Sequence, residues 1–172
     1  MNKIAKFEKV SYEQFEKDTQ NIIKETNVIL PKDLRKIYNS IKLPTRATKG
    51  SAGYDFKIPF SLLCYKNSSY VIPTGIRVKM ENGWVLKLYP RSGLGTKRGL
   101  KLLNTVGIID SDYYNSDNEG HIIAKITHTE GEYILNLNSG QGFIQGIFLP
   151  FGITEDDVAS EERNGGFGST GV

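Results

Sequence analysis

From Ile41 onward the apolar residues fall into short runs with a two-residue alternation, each bounded by glycine, proline or asparagine. A period of two puts every second side chain on one face of an extended chain; wound into a helix, the same residues would scatter around its circumference. In GWVLKLYP, Trp84, Leu86 and Leu88 share one face while Val85, Lys87 and Tyr89 share the other. The runs YDFKIPF, YVIPTGIRVKM, GWVLKLYP, HIIAKITHT, YILNLN and GFIQGIFLPF, separated by turn signals such as ENG, NSG and TEGE, predict an all-β barrel or sandwich.

The first 41 residues have another texture. Ser11 is an N-cap candidate with Gln14 three residues on, and Phe15, Ile22 and Ile23 then fall on one helical face. Pro31 begins a second helical stretch with Leu34, Ile37 and Ile41 at spacings of three and four. The expected layout is a largely helical extension over 1–41 packed on a barrel over 42–152. Residues 153–172 follow as an acidic linker, TEDDVASEE, and a glycine-rich closing arm, ERNGGFGSTGV. No internal repeat or second domain is apparent in the sequence.

Composition narrows the chemistry. A formal net charge of +3 over 172 residues is too small to hold nucleic acid by charge alone, so any anion must be bound locally. Cys64 is the only cysteine, which forbids an intrachain disulfide and fits a reducing, cytoplasmic setting. Apolar runs fall short of the roughly 18 residues a membrane span needs. His121, His128 and one cysteine cannot build a zinc site of the usual kind, and no serine sits in a G-x-S-x-G elbow. The chemistry left to the chain uses carboxylate, arginine and a hard cation.

Four internal stretches set small residues beside isolated polar groups at strand ends. In SAGYDF, Asp55 begins a strand, and the stretch reads equally as a plain turn and strand. In YPRSGLGTKRGL, Arg91, Ser92 and Gly93 offer a guanidinium fork, a hydroxyl and backbone N–H groups to one oxyanion, or form a basic surface loop. In NTVGIIDSDYY, Asn104 carries a donor and an acceptor able to read a pyrimidine edge. Gly107 there allows close approach, and the apolar Ile108 and Ile109 lead into Asp110, a candidate base, with Asp112 and Tyr113 beyond. In GQGFIQGIF, Gln145 interrupts an apolar strand.

AGYDF, PRSGLG, GIIDSDY, GFIQ and GGFGSTG occur in this order, and together they resemble the five motifs of the trimeric deoxyuridine triphosphatases, of the Gram-positive bacterial or phage type. The resemblance runs from about Leu43 to Val172. It implies a jelly-roll β-barrel, a homotrimer with active sites assembled between subunits, and magnesium-dependent cleavage of dUTP to dUMP and pyrophosphate. Asp110 is then the base activating the water that attacks the α-phosphorus; an aspartate of ordinary pKa, about 3.9, accepts a proton only as the new bond forms. Tyr113 would pack on the deoxyribose where a 2′-hydroxyl would clash. Asn104 and the backbone from Gly107 to Ile109 would read uracil. Arg91, Ser92, Gly93 and Gln145 would hold phosphates, with Mg²⁺ on phosphate and water oxygens and Asp55 in support. Phe167 would stack on the uracil, while Arg163, Gly168, Ser169 and Thr170 close over the phosphates.

Three departures from that pattern stand out. The position three before Gln145, usually basic in the family, is Gly142, for which Lys97 or Arg98 is an expected replacement. The loop after Tyr113, YNSDNEGH, is longer than common, and RNGGFG has one residue fewer between arginine and glycines. On the same fold a dCTP deaminase is the enzymatic alternative. A regulatory role with a protein partner, such as a repressor, is the non-enzymatic one.

Overall fold

The computed structural model describes residues 2–26 and 33–160. The extension starts with a strand, β1 (Ala5–Lys9), before its two helices, α1 (Tyr12–Thr26) and α2 (Leu34–Ser40). Ser11 starts α1 as its sequence position predicts, its Oγ accepting from the Gln14 N–H at 3.1 Å. Asp33 starts α2 in the same way, accepting from the Lys36 N–H at 2.9 Å.

The strands that follow are β2 (Thr45–Arg46), β3 (Tyr54–Lys57), β4 (Leu62–Tyr65), β5 (Ser68–Pro73), β6 (Ile76–Met80) and β7 (Trp84–Pro90). After the short helix α3 (Ser92–Arg98) come β8 (Leu100–Leu102), β9 (Gly107–Ile109), a 3₁₀ turn at Ser111–Asn115, β10 (Ile123–His128), β11 (Ile134–Leu137) and β12 (Gly142–Pro150). They divide among four sheets, β1–β6, β5–β10–β8, β11–β4 and the five-stranded β2–β3–β12–β7–β9. Hydrogen bonding does not run continuously from sheet to sheet, so the expected barrel is an unclosed arrangement of sheets around one core.

Phe15, Phe56, Phe143, Ile58, Ile72 and Leu86 lie fully buried in that core, so α1 and the sheets share a single apolar interior. The largely helical reading of the extension misses β1. Its AKFEK is too charged to signal a strand, but pairing with β6 satisfies its backbone, and Phe7 packs on Tyr54, Phe56 and Phe148 with ring centroids 5.3, 5.6 and 5.7 Å away. The run YVIPTGIRVKM becomes two strands because Gly75, at φ +71°, turns the chain after Pro73. Among the described residues no helix is long and apolar enough to cross a membrane.

Gly99 ends α3 in the left-handed conformation at φ +69°, and a Cβ there would lie 2.6 Å from the backbone oxygen of Glu130. Gly99→Ala is therefore expected to cost about 1–3 kcal/mol, measurable by denaturant unfolding, because rigid backbone rather than a yielding side chain stands in the way. Burial pushes the Cys64 thiol up to about 12, so it stays protonated and unreactive in the folded protein.

Candidate active site

The five-stranded sheet lines up polar residues by register. Thr45 faces Asp55 across β2–β3, Asp55 faces Gln145 across β3–β12, and Gln145 faces Tyr89 across β12–β7. Residues opposite one another in a ladder point to the same face, so Asp55, Gln145 and Tyr89 form one row. Gly53 lets Gln145 lie flat: a Cβ there would meet its Oε1 at 2.5 Å. The Gln145 amide nitrogen donates to the Pro90 carbonyl at 3.4 Å.

Arg91, just past β7, folds back over this row, its Nε 3.1 Å from Asp55 Oδ1. The guanidinium crosses β12 at Gly142, where a Cβ would lie 2.7 Å from Nη1 and 3.0 Å from Cδ. The space a side chain would take at 142 thus belongs to Arg91. The expectation that Lys97 or Arg98 replaces a basic residue there is corrected for Arg98, which pairs with Glu132 at 2.9 Å. Ser92 and Gly93 are exposed at the start of α3, and a Cβ on Gly93 would meet nothing within 4 Å. Arg91, Ser92, Gly93, Gln145 and Asp55 therefore gather at one end of β7.

A second group forms around the β8–β9 hairpin. Asn104 and Gly107 line a cavity of about 330 Å³ with Leu88, Leu102, Ile123 and Ala124, an apolar slot with one amide at its mouth. The hairpin turn is strained: Thr105, a β-branched residue, is held at φ +65°. Strand β9 pairs with β7 and ends the five-stranded sheet, so its outer backbone edge meets no further strand of that sheet. Ile109 is 2% exposed, which leaves its backbone, not its side chain, for any ligand.

Asp110 follows β9, about 10 Å along the chain from Gly107 at the usual strand rise of about 3.3 Å per residue. It leads into the 3₁₀ turn, where its carbonyl accepts from the Tyr113 N–H at 3.3 Å. Tyr113 is 4% exposed; its hydroxyl donates to the His121 carbonyl and accepts from the Asn118 amide, each at 2.8 Å. Its ring is fixed rather than free to swing.

The two groups do not meet within one chain. Ile109 pairs with Leu86, so Asp110 continues toward Val85, near the start of β7, while Arg91 lies beyond its end. Six residues of strand separate the two positions, roughly 20 Å. Arg163, Phe167, Gly168, Ser169 and Thr170 lie outside the described residues. A larger cleft of about 980 Å³, lined by Lys3, Phe7, Arg46, Lys49, Tyr54 and Trp84 among others, contains none of the site residues read from the sequence.

The dUTPase family model matches residues 39–171. The chain belongs to the dUTPase family. The deoxyuridine 5'-triphosphate nucleotidohydrolase of Lactococcus lactis subsp. lactis (strain IL1403) is 42% identical over 135 residues, covering 77% of this chain and 89% of that one. That of Pectobacterium carotovorum subsp. carotovorum (strain PC1) is 34% identical over 144 residues, 79% and 91% of the two chains. The crystal structure of the dUTPase from Streptococcus mutans superposes with a TM-score of 0.62 at 31% identity, covering 87% of this chain and 98% of that one. A Staphylococcus bacteriophage 80alpha dUTPase mutant superposes with a TM-score of 0.61 over 95% of this chain and all of that one, a likeness of fold at 16% identity.

Most of the extension precedes the family match, and sequence reasoning found no role for it. The structure ties it to the loop after Tyr113. Asp18 on α1 accepts from His121 at 2.6 Å, and Glu119 accepts from the Ser11 N–H and hydroxyl at 2.8 and 2.6 Å. Burial alone would raise the Glu119 carboxyl, but Ser11 and Arg77 outweigh it and hold it below the usual range. Hydrogen bonds from Lys6 and Tyr114 do the same for Glu8. A depressed carboxylate stabilises the fold above its unfolded pKa, about 4.3, and loses that contribution as pH falls through the folded value. These contacts are therefore expected to fail on the acid side only.

Proposed function

We propose that the protein hydrolyses dUTP to dUMP and pyrophosphate, with Asp110 as the general base for a water attacking the α-phosphorus. The observation that carries this reading is the arrangement along β9 in a chain of the dUTPase family. An apolar cavity with the Asn104 amide lies near Gly107, and a carboxylate stands about 10 Å further on, the order base, sugar, α-phosphate. Asn104 and the open edge of β9 read uracil, and a slot walled by Leu88, Leu102 and Ile123 has little room for a C5 methyl. Tyr113, fixed by its hydroxyl, packs beneath the deoxyribose.

Arg91, Ser92, Gly93 and Gln145 hold phosphates. Because Arg91 and Asp110 sit at opposite ends of β7, one α-phosphate cannot touch both in a single chain. That supports a site completed between copies, and we take the assembly to be a homotrimer. Arg163, Gly168, Ser169 and Thr170 close on the phosphates and Phe167 stacks on the base.

Among the described residues no three His, Cys, Asp or Glu side chains gather into a metal cage. Asp55 and Asp110 nevertheless supply the hard oxygen donors magnesium prefers, and that ion ordinarily completes its shell with waters and phosphate oxygens. Mg²⁺ on the triphosphate would neutralise part of its charge, about −4, extrapolating from roughly −2 for a terminal phosphate. Arg91 and Arg163 offset the rest, while Asp55, held by Arg91, supports the metal's water shell. A cytoplasmic location suits a nucleotide substrate and a free thiol.

Pyrophosphate release from dUTP, dTTP, dCTP and UTP, with and without magnesium, tests the assignment. Turnover of dUTP alone is expected, and only with the metal. Ammonia from dCTP without pyrophosphate from dUTP would instead make the protein a deaminase. Nucleotide binding without turnover would favour a regulatory role with a protein partner.

A further inference from the structure

We infer that the N-terminal extension is a positioning device for the turn carrying Asp110 and Tyr113, and that through Tyr113 it governs discrimination between deoxyribo- and ribonucleotides. The inference rests on the dUTP reading for the identity of the substrate, but its structural basis is independent of that reading. Residues 2–38 precede the family match, and three separate ties join them to the loop that follows the turn.

The Tyr114 hydroxyl donates to Glu8 on β1 at 2.7 Å. The guanidinium of Arg77 stacks over the Tyr114 ring at 3.7 Å and pairs with both Glu8 and Glu119 at 3.7 Å. Glu119 in turn takes both hydrogen bonds from Ser11, the cap of α1. At the loop's end His121 is fully buried, and its Nε2 accepts from the Gly75 N–H at 2.8 Å. The proton of the neutral ring therefore sits on Nδ1, donated to Asp18.

The carbonyl of that same histidine receives the Tyr113 hydroxyl. The path from helix to active-site ring is thus Asp18, His121, Tyr113. The loop is also folded tightly on itself: Glu119 and Gly120 take φ of +57° and +70°, and a Cβ on Gly120 would lie 2.8 Å from the Tyr113 carbonyl oxygen. A strained loop of this kind holds its shape only where its surroundings over-determine it. The extension supplies those surroundings. Asp18, Glu119 and Tyr114 are positioning residues that act through Tyr113.

The test compares kcat/KM for dUTP and UTP, well below each variant's melting temperature, in the full-length wild type and in Asp18→Ala, Asp18→Asn and Tyr114→Phe. Asp18→Ala should lower the dUTP:UTP ratio about tenfold or more, whereas Asp18→Asn, which keeps an acceptor for His121, should restore it to within about threefold of wild type. Tyr114→Phe, which removes one hydroxyl and keeps the ring over Arg77, should lower the ratio severalfold. A merely structural role would lower melting temperatures and leave the ratio unchanged. An unchanged ratio in folded Asp18→Ala, or in Tyr114→Phe should the former fail to fold, overturns the inference. Wild type that discriminates while the variants keep its ratio sinks this inference alone; wild type inert toward dUTP sinks the functional assignment itself.

Discussion

Replacing Asp110 by asparagine is expected to slow pyrophosphate release from dUTP about 10²- to 10⁴-fold while leaving dUTP affinity within a few-fold of wild type. The substitution is nearly isosteric and keeps the backbone contact Asp110 makes as the cap of the 3₁₀ turn, since the carbonyl, not the side chain, accepts from Tyr113. What disappears is the ability to take a proton from water as it bonds to phosphorus, because an amide has no basic lone pair to offer. Rate and binding should therefore separate: kcat collapses and the dissociation constant, measured by calorimetry with the slow variant, barely moves. A kcat within tenfold of wild type would remove Asp110 from the role of base.

Gly142→Ala is the second large effect, and the sequence alone points the wrong way on it. Read against the family pattern, glycine at 142 is a missing cation, so adding a side chain should be harmless or helpful. The structure gives the opposite expectation, because Arg91 fills that space and a methyl group there would push Nη1 and Cδ away. Gly142 has no positive φ, so alanine strains no backbone and the effect passes through Arg91.

Losing a charge-assisted pair costs about 1.5–3 kcal/mol in sheltered settings. The Arg91 side chain is 42% exposed, so water screens its pair with Asp55 and the low end applies, about a tenfold fall in kcat/KM. The fall should appear mainly in KM, and it should not add to that of Asp55→Asn, since both changes break the same pair. A kcat/KM within twofold of wild type, or fully additive losses, would show that Arg91 does not depend on this glycine.

The half-buried strands were legible because their alternation is a direct consequence of burying one face. Strands β7, β10 and β12 appear where WVLKLYP, IAKITH and GFIQGIFLP alternate. Strands β8 and β9 have three residues each, too few for a period to register, and β1 exists because β6 is there to pair with it. The residues of the candidate site were conspicuous as small and polar groups at strand ends. Their division between the two ends of β7 was not, because it depends on register. Least visible of all was the clamp on Tyr113: Asp18 and His121 are 103 residues apart and Ser11 and Glu119 are 108 apart, and no local pattern links such pairs.

Hydrolysis of dUTP in ¹⁸O-labelled water, followed by mass analysis of both products, tests most directly where the water attacks. Attack at the α-phosphorus puts the label in the phosphate of dUMP and leaves pyrophosphate unlabelled. Label in pyrophosphate with none in dUMP would mean that the water strikes the β-phosphorus, and the geometry built around Asp110 would then be wrong.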